Sequence, residues 1–142
     1  MKKSNLPEPL RTRLTQVMRD HNLAKFGDSL TNFVYSLAKT KRYNLPYGER
    51  VLDKSLAEAI RNANLRFIMP SSVSSGDLGD GVEALVGYAY LENILTIDEM
   101  VEIIDKEMQK KSIEELSYRS NERVLMAIVF EKILLEIVDR MS

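Results

Sequence analysis

The stretch GDGVEALVGYAYL, residues 79–91, decides the fold class of this chain. Its only charged side chains are Asp80 and Glu83, and the other residues leave no polar face on a helix. A helix that is apolar all round lies in the core of a protein, so this segment predicts a central buried helix. On that helix Asp80 and Glu83 lie within roughly 60° of each other, and Gly87 falls between them one turn later. Two carboxylates therefore share the one polar strip of a buried helix.

Helical spacing also dominates the rest of the chain, and no segment shows the alternating pattern of a strand. Two helices are expected to begin at capping boxes, Thr96 with Glu99 and Ser112 with Glu115, and the last helix runs to the C-terminus. The other expected helices are residues 10–22, 23–41, 50–61 and 78–93, with loops at 42–49 and 69–77. The sequence therefore predicts an all-α fold of about six or seven helices.

Composition bounds the class of protein. The 142 residues suit one domain, 1–142, because a domain of this size buries roughly 70% of the surface that its unfolded chain exposes. Cysteine is absent, which excludes disulfides, thiolate nucleophiles and cysteine-ligated zinc. The longest apolar run, VLMAIVF at 124–130, is far shorter than the roughly 18 residues of a membrane span. We therefore expect a cytoplasmic protein that does not enter a membrane.

Charge is unevenly distributed along the chain. Residues 1–66 contain 13 Lys and Arg against 6 Asp and Glu, whereas residues 67–142 contain 7 against 15. The two parts therefore carry net charges of +7 and −8, although the whole chain carries only −1. This asymmetry indicates either a phosphate-binding surface in the basic part or two parts of one fold that attract each other. Charge alone does not choose between them.

A third acidic residue lies in LAKFGDSLTNFVYSL, residues 23–37. Asp28 is off the apolar stripe of the predicted helix, and Asn32 and Tyr35 continue a polar strip on the same side. Gly27 removes a side chain beside Asp28, as Gly87 does on the buried helix, so the two helices can approach closely where their glycines meet. Such a crossing would bring Asp28 together with the two carboxylates of the buried helix.

A buried carboxylate without a partner is costly, so it takes up a proton, pairs with Arg or Lys, or binds a cation. Several acidic side chains close together favour the cation. The alternative is that Asp80 lies in the first turn of its helix, where a negative charge suits the helix dipole, while Glu83 pairs with an Arg. Both interpretations are compatible with the spacing.

At these stretches the sequence resembles the ribonuclease III family. LAKFGDSLTNF resembles the family signature LEFLGDSL, and LGDGVEALVGYAYLE is similar to LADTVEALIGAIYLD. Between them, KSLAEAIRNANL at 54–65 is similar to the intervening family helix KTLAEIAKELGL. The three segments occur in the family order, which makes the resemblance more specific than an isolated D-x-x-E motif.

The resemblance implies an all-α endonuclease domain that cleaves double-stranded RNA as a homodimer, with Mg²⁺, or Mn²⁺ in its place, held by acidic residues. The matching catalytic and metal-binding positions are Asp28, Asp80 and Glu83, with Asn32 in support. Magnesium prefers oxygen ligands and keeps several waters, so a few carboxylates and phosphate oxygens suffice. No double-stranded RNA-binding domain is expected after residue 142. Phosphate contacts are expected from four cations of the basic part, namely Lys25, Lys39, Lys41 and Arg42.

Three positions depart from the family pattern. Ala24 stands where the family usually has Glu, four residues before the Asp of the signature, and His21 stands at a further acidic position. Lys25 replaces an aromatic residue that commonly contributes to the dimer contact. The small Mini-ribonucleases III resemble this chain in having Ala before the signature. The alternatives to an active nuclease are a catalytically silent member of the fold that binds structured RNA or a ribonucleoprotein partner, and an all-α interaction protein without an RNA role.

Overall fold

The computed structural model describes residues 6–142. Within that range the chain forms seven α-helices and one short 3-10 helix, Arg66–Ile68, and it contains no strand. The prediction of an all-α fold with six or seven helices is confirmed. The α-helices are α1 Glu8–Met18, α2 His21–Tyr43, α3 Asp53–Asn62, α4 Ser75–Leu91, α5 Ile97–Met108, α6 Ile113–Leu116 and α7 Arg119–Met141.

Helix α4 is the central element, as its composition predicts. Ten of its 17 residues are buried, and it packs mainly against α2 and α3 and also contacts α1 and α7. It begins at residue 75, earlier than expected, because Ser74 and Asp77 form a capping box that bonds each residue's backbone amide to the other's side chain. It ends before Asn93, whose φ of 56° is left-handed and incompatible with another helical turn.

The boundary between α1 and α2 differs from the prediction, which extended the first helix to residue 22. The Asp20 carboxylate accepts hydrogen bonds from the backbone amides of Asn22 and Leu23, at 2.9 and 3.0 Å. These bonds satisfy amides that are free at a helix start, so α2 begins at His21 and α1 ends at Met18. As a result, residues 21–28 lie on one continuous helix.

Helix α3 begins at Asp53 and not at residue 50, because polar side chains of α2 hold the preceding loop. The Ser36 hydroxyl accepts from the Glu49 amide at 2.8 Å, and the Asn32 side-chain oxygen accepts from the Val51 amide at 2.7 Å. Backbone groups satisfied in this way are not available to extend the helix toward its N-terminus. The loop therefore runs beside α2 until it reaches α3.

Both predicted capping boxes are present, but the second starts only one turn of helix. Ser112 and Glu115 cap α6, which has four residues, and the separate helix α7 then runs from Arg119 to Met141. Across residues 6–142 we find no helix that combines the length and the apolarity needed to cross a membrane.

Candidate active site

Helices α2 and α4 meet backbone to backbone at two glycines. A Cβ atom added to Gly27 would overlap the backbone carbonyl of Glu83, and one added to Gly87 would lie 3.1 Å from the Leu23 carbonyl oxygen and 3.3 Å from the Gly27 Cα. No other residue type allows an approach this close, because every other side chain begins with a Cβ atom. The predicted crossing at the glycines is therefore confirmed.

The crossing brings the side chains of Asp28 and Glu83 into contact. Glu83 is 4% exposed, its carboxyl group is hydrogen-bonded to Asp28, and the Thr31 hydroxyl donates to it at 3.5 Å. Burial, followed by this bond and the negative charges of Asp28 and Asp80, raises the pKa of Glu83 to about 8. No Lys or Arg in residues 6–142 forms an ion pair with Glu83, so the alternative of a structural Glu83–Arg pair is absent from this structure.

Asp80 lies at the rim of the site and not in the core. Its side chain is exposed, one turn before Glu83 and in the second turn of α4. The carboxyl group still loses part of its water shell to the neighbouring chain, and this partial desolvation, followed by the charges of Asp53 and Asp77, raises the pKa of Asp80 above the ordinary value. We refer to Asp28, Asp80 and Glu83 together as the acidic site.

Ala24 and Asp80 border a groove of about 250 Å³ between the start of α2 and the start of α4. The groove is also lined by His21 and Met69, so apolar and polar groups share its walls. Ala24 is the position at which a Glu was expected from the resemblance. The Ala24 side chain supplies no carboxylate to the groove that it shares with Asp80.

The sequence analysis missed Asp53, which is the first residue of α3. One of its carboxylate oxygens lies 3.2 Å from the place where a Cβ on Gly79 would be, and its charge raises the pKa of both Asp80 and Glu83. The signal was present in the sequence, since Asp53 directly precedes the segment KSLAEAIRNANL and Gly79 directly precedes Asp80. Only the packing of α3 on α4 shows that these two motifs meet.

Asn32 connects the acidic site to the loop before α3. Its side-chain amide donates to an Asp28 carboxylate oxygen at 3.4 Å, while its oxygen accepts from the Val51 amide. Both ends of the Asn32 side chain are therefore engaged, which restricts the orientation of Asp28. The supporting role of Asn32 in catalysis stays a prediction.

The three carboxylates are not gathered around one point. Within the described part of the chain, no group of three or more His, Asp or Glu side chains is arranged so that it could hold a metal ion. The donor chemistry nevertheless fits Mg²⁺, which is bound in proteins by one or two carboxylates with waters and phosphate oxygens. Desolvation and the charges of neighbouring carboxylates raise the pKa of Glu83 and of Asp80, and a bound cation would offset both effects.

Lys39, which we predicted to contact RNA, lies inside the protein, so this prediction is wrong. It is 4% exposed, and its ammonium group lies 3.0 Å from a Glu49 oxygen and 2.7 Å from a Glu122 oxygen. The same Glu122 oxygen accepts from the Tyr35 hydroxyl at 2.8 Å, and the Tyr47 ring lies 4.5 Å from the ammonium group. Lys39 is therefore the centre of a buried network that joins α2 to α7.

The other three predicted RNA contacts lie on the surface. The Arg42 guanidinium group binds both carboxylate oxygens of Asp105, at 2.7 and 2.8 Å, so a phosphate would have to compete with this pair. Lys25 and Lys41 are exposed and form no ion pair with any described residue. Lys25 lies one turn before Asp28 on α2, which places its charge beside the acidic site.

Comparison with known proteins adds one finding. A family model described as Ribonuclease III matches residues 21–142, a range that begins at the first residue of α2 and contains α3 to α7. The match includes both glycine-containing acidic motifs and the helix between them. A search of curated proteins found no match.

Proposed function

This chain belongs to the ribonuclease III family, and from that premise we propose that it is a magnesium-dependent endoribonuclease that cleaves double-stranded RNA. One observation supports the proposal most strongly. The backbone contact of Gly27 with Glu83 places a buried carboxyl group against Asp28, and no Lys or Arg among residues 6–142 forms an ion pair with it. Buried acidic pairs of this kind occur at functional sites more often than in ordinary cores, since they destabilise the fold.

In the proposed mechanism, Asp28, Asp80 and Glu83 would hold the magnesium. When bound, the metal supplies an acidified water and stabilises charge on the phosphate and on the leaving oxygen. Asn32 keeps the Asp28 carboxylate turned toward Glu83 through the bonds described above. No side-chain nucleophile is required, which agrees with the absence of cysteine. Duplex RNA would be recognised by its shape and phosphates and not by base sequence, because its deep major groove excludes side chains.

The test is cleavage of a long labelled RNA duplex with Mg²⁺ or with EDTA. Wild-type protein should produce short fragments with Mg²⁺ alone, and both Asp28→Asn and Glu83→Gln should lose at least about 100-fold in rate, as expected for groups that stabilise transition-state charge. Asp139→Asn, an exposed carboxylate on α7, is the matched control and should cleave normally. Equal cleavage by the control and both site variants would contradict the proposal.

A second candidate is a catalytically silent protein of the same family that binds structured RNA or a ribonucleoprotein partner. Two observations favour it, namely Ala24 at the position of an expected ligand and the lack, among the described residues, of three side chains arranged to hold a metal ion. The same assay separates the two candidates. A duplex that is retarded on a native gel but stays intact with Mg²⁺ would support the binding protein.

We further propose that the protein acts in the cytoplasm as a homodimer that uses the apolar end of the α2–α4 crossing. Phe26 and Leu91 are 38% and 51% exposed, and the Phe26 ring lies 6.1 Å from that of Tyr90. Exposed apolar side chains that lie close together, as Phe26 and Tyr90 do, are typical of an interface. Light scattering after size exclusion should give a dimer for wild type and a monomer for Phe26→Asp. Leu45→Asp, in a loop position that is even more exposed than Phe26, should remain dimeric.

A further inference from the structure

A second charged site lies on the face formed by α7 and the loop before α3. A cavity of about 200 Å³ is lined by three arginines, two glutamates and two apolar residues. We call it the arginine pocket, and its residues are Glu49, Arg50, Leu52, Arg119, Glu122, Arg123 and Met126. Neither the proposed mechanism nor the predicted RNA contacts use any of them.

Within residues 6–142, none of the three pocket arginines uses its guanidinium group in a hydrogen bond or an ion pair with another residue. Six of the ten arginines in residues 6–142 use the guanidinium group in a hydrogen bond or an ion pair. The other four are Arg11, Arg50, Arg119 and Arg123. Three of these four line one pocket, where like charges repel each other and a shared anion would bind favourably.

The glutamates of the pocket do not neutralise these arginines. Glu49 and Glu122 both bind the buried Lys39 ammonium group, and Glu122 also accepts the Tyr35 hydroxyl. Lys39 therefore cancels much of the negative charge beneath the pocket. The three arginines and the buried Lys39 carry four positive charges, and Glu49 and Glu122 carry two negative charges. The pocket and the residues beneath it therefore have a net positive charge.

The arginine pocket adjoins the acidic site through residues 50–53. Arg50 lines the pocket, and the amide of the next residue, Val51, bonds to Asn32, whose other end bonds to Asp28. Because successive Cα atoms are about 3.8 Å apart, the four residues 50–53 span at most about 11 Å. The two sites are therefore close enough for one bound RNA to contact both.

The opposite wall of the pocket is tied to the same segment. The Ser55 hydroxyl in the first turn of α3 donates to the Arg123 backbone oxygen at 2.9 Å, while Asp53 lies against Gly79, next to Asp80. The N-terminal end of α3 therefore lies between Arg123 of the arginine pocket and the region of Asp80 in the acidic site. A phosphate chain is repelled by the carboxylates and attracted by the arginines, so the pocket supplies an attraction that the acidic site lacks.

We propose that Arg50, Arg119 and Arg123 together bind one backbone phosphate of the RNA that the acidic site cleaves, and so position the strand. This inference rests on the proposed function. It assigns the main phosphate contact to residues outside the four cations that the sequence indicated.

The test measures duplex affinity in EDTA, so that no cleavage occurs, over a range of salt concentrations. The variant carries Gln at positions 50, 119 and 123, and Arg119→Gln is tested alone in case the triple variant fails to fold. A control with Gln in place of Arg61, Lys106 and Lys110 removes the same charge from other exposed positions. Arg119→Gln should weaken binding about 5-fold, and the triple variant should also lower the slope of log affinity against log salt by about one.

The control should lose much less affinity and keep the wild-type slope. If wild type binds duplex but the pocket variants bind with the same affinity and slope as the control, the pocket assignment is overturned and the proposed function is not. If wild type neither binds nor cleaves duplex, both are overturned. Inorganic phosphate is the second probe. A phosphate-induced rise in melting temperature that the triple variant loses, with unchanged duplex affinity, would assign the pocket to a small anion instead.

Discussion

The Cα of Gly27 faces the backbone carbonyl of Glu83 with no room for a side chain between the two helices. Any larger residue at position 27 must push α4 away from α2 or bend one of them. Since Asp28 and Glu83 are the neighbours of this contact, the same displacement would separate the carboxyl groups of the acidic site. Stability and the geometry of the site are therefore linked at one position.

Gly27→Ala should therefore lower the free energy of unfolding by about 3 kcal/mol or more, since overpacking against backbone cannot be relieved by a rotamer change. Urea denaturation followed by circular dichroism measures this change. Gly48→Ala is the control, because nothing lies within 4 Å of a Cβ at that position, and its stability should match wild type. Equal stability of the two variants would show that the helices do not cross at Gly27.

Glu83→Gln should stabilise the protein in EDTA, and by more at higher pH. The folded-state pKa of about 8 is above the ordinary value of 4.5, so the folded protein holds a proton that the unfolded chain releases. Wild-type stability should therefore fall as pH rises from about 4.5 to 8, whereas the variant lacks this loss. At pH 7 the difference should be roughly 1 to 3 kcal/mol.

Adding Mg²⁺ should affect the stability of wild type and of Glu83→Gln differently. A cation that binds between the carboxylates stabilises the folded state of wild type only. Melting temperatures recorded with Mg²⁺ should therefore rise for wild type and not for Glu83→Gln. An Mg²⁺ shift of equal size in both proteins would mean that the ion binds elsewhere.

Lys39→Met should destabilise the protein by about 3 to 5 kcal/mol, because it leaves Glu49 and Glu122 without the cation that they share. Chemical denaturation at neutral pH provides the measurement. The comparison variant is Lys41→Met, two residues further along α2, where the side chain is exposed and unpaired in the described structure. Its stability should change by less than about 0.5 kcal/mol. A small effect at both positions would contradict the buried network.

Asn32→Ala should cost about 1 to 2 kcal/mol, because the Val51 amide loses its acceptor. Asn32→Asp keeps an acceptor for that amide but replaces the donor facing Asp28 with a negative charge. We therefore expect Asn32→Asp to retain more stability than Asn32→Ala at acid pH, where added carboxylates are protonated, and to lose this advantage at neutral pH. Thermal melts at the two pH values make the comparison. The same ranking at both pH values would exclude the contact with Asp28.

Local spacing predicted much of the helical architecture. An apolar run with one polar strip was sufficient to identify α4 as the central helix, and the two glycines were sufficient to predict the crossing with α2. The predicted helix boundaries were less accurate where a polar side chain caps the start of the helix. Asp20 and the Ser74–Asp77 pair both start helices at places that the apolar periodicity alone does not mark.

The candidate site was predicted in part. Periodicity describes directions around one helix axis, so it could relate Asp80 to Glu83 and Asn32 to Asp28. It carries no information about which segment packs opposite, and for that reason Asp53 was missed and Lys39 was assigned to the surface. In the sequence, Lys39 cannot be distinguished from a lysine that is exposed to solvent. Its burial depends on Glu122, which α7 places against it in the folded protein.

The amino-acid sequence by itself determined the helical class, the central position of α4 and the pairing of two acidic motifs through their glycines, because these depend on composition and spacing along single helices. Only the tertiary structure decided that Asp80 is exposed, that Lys39 is buried and that three arginines without an ion pair in residues 6–142 line one pocket. These features depend on which distant segments meet, and a charge is neutralised or left free by its spatial neighbours and not by its neighbours in the chain.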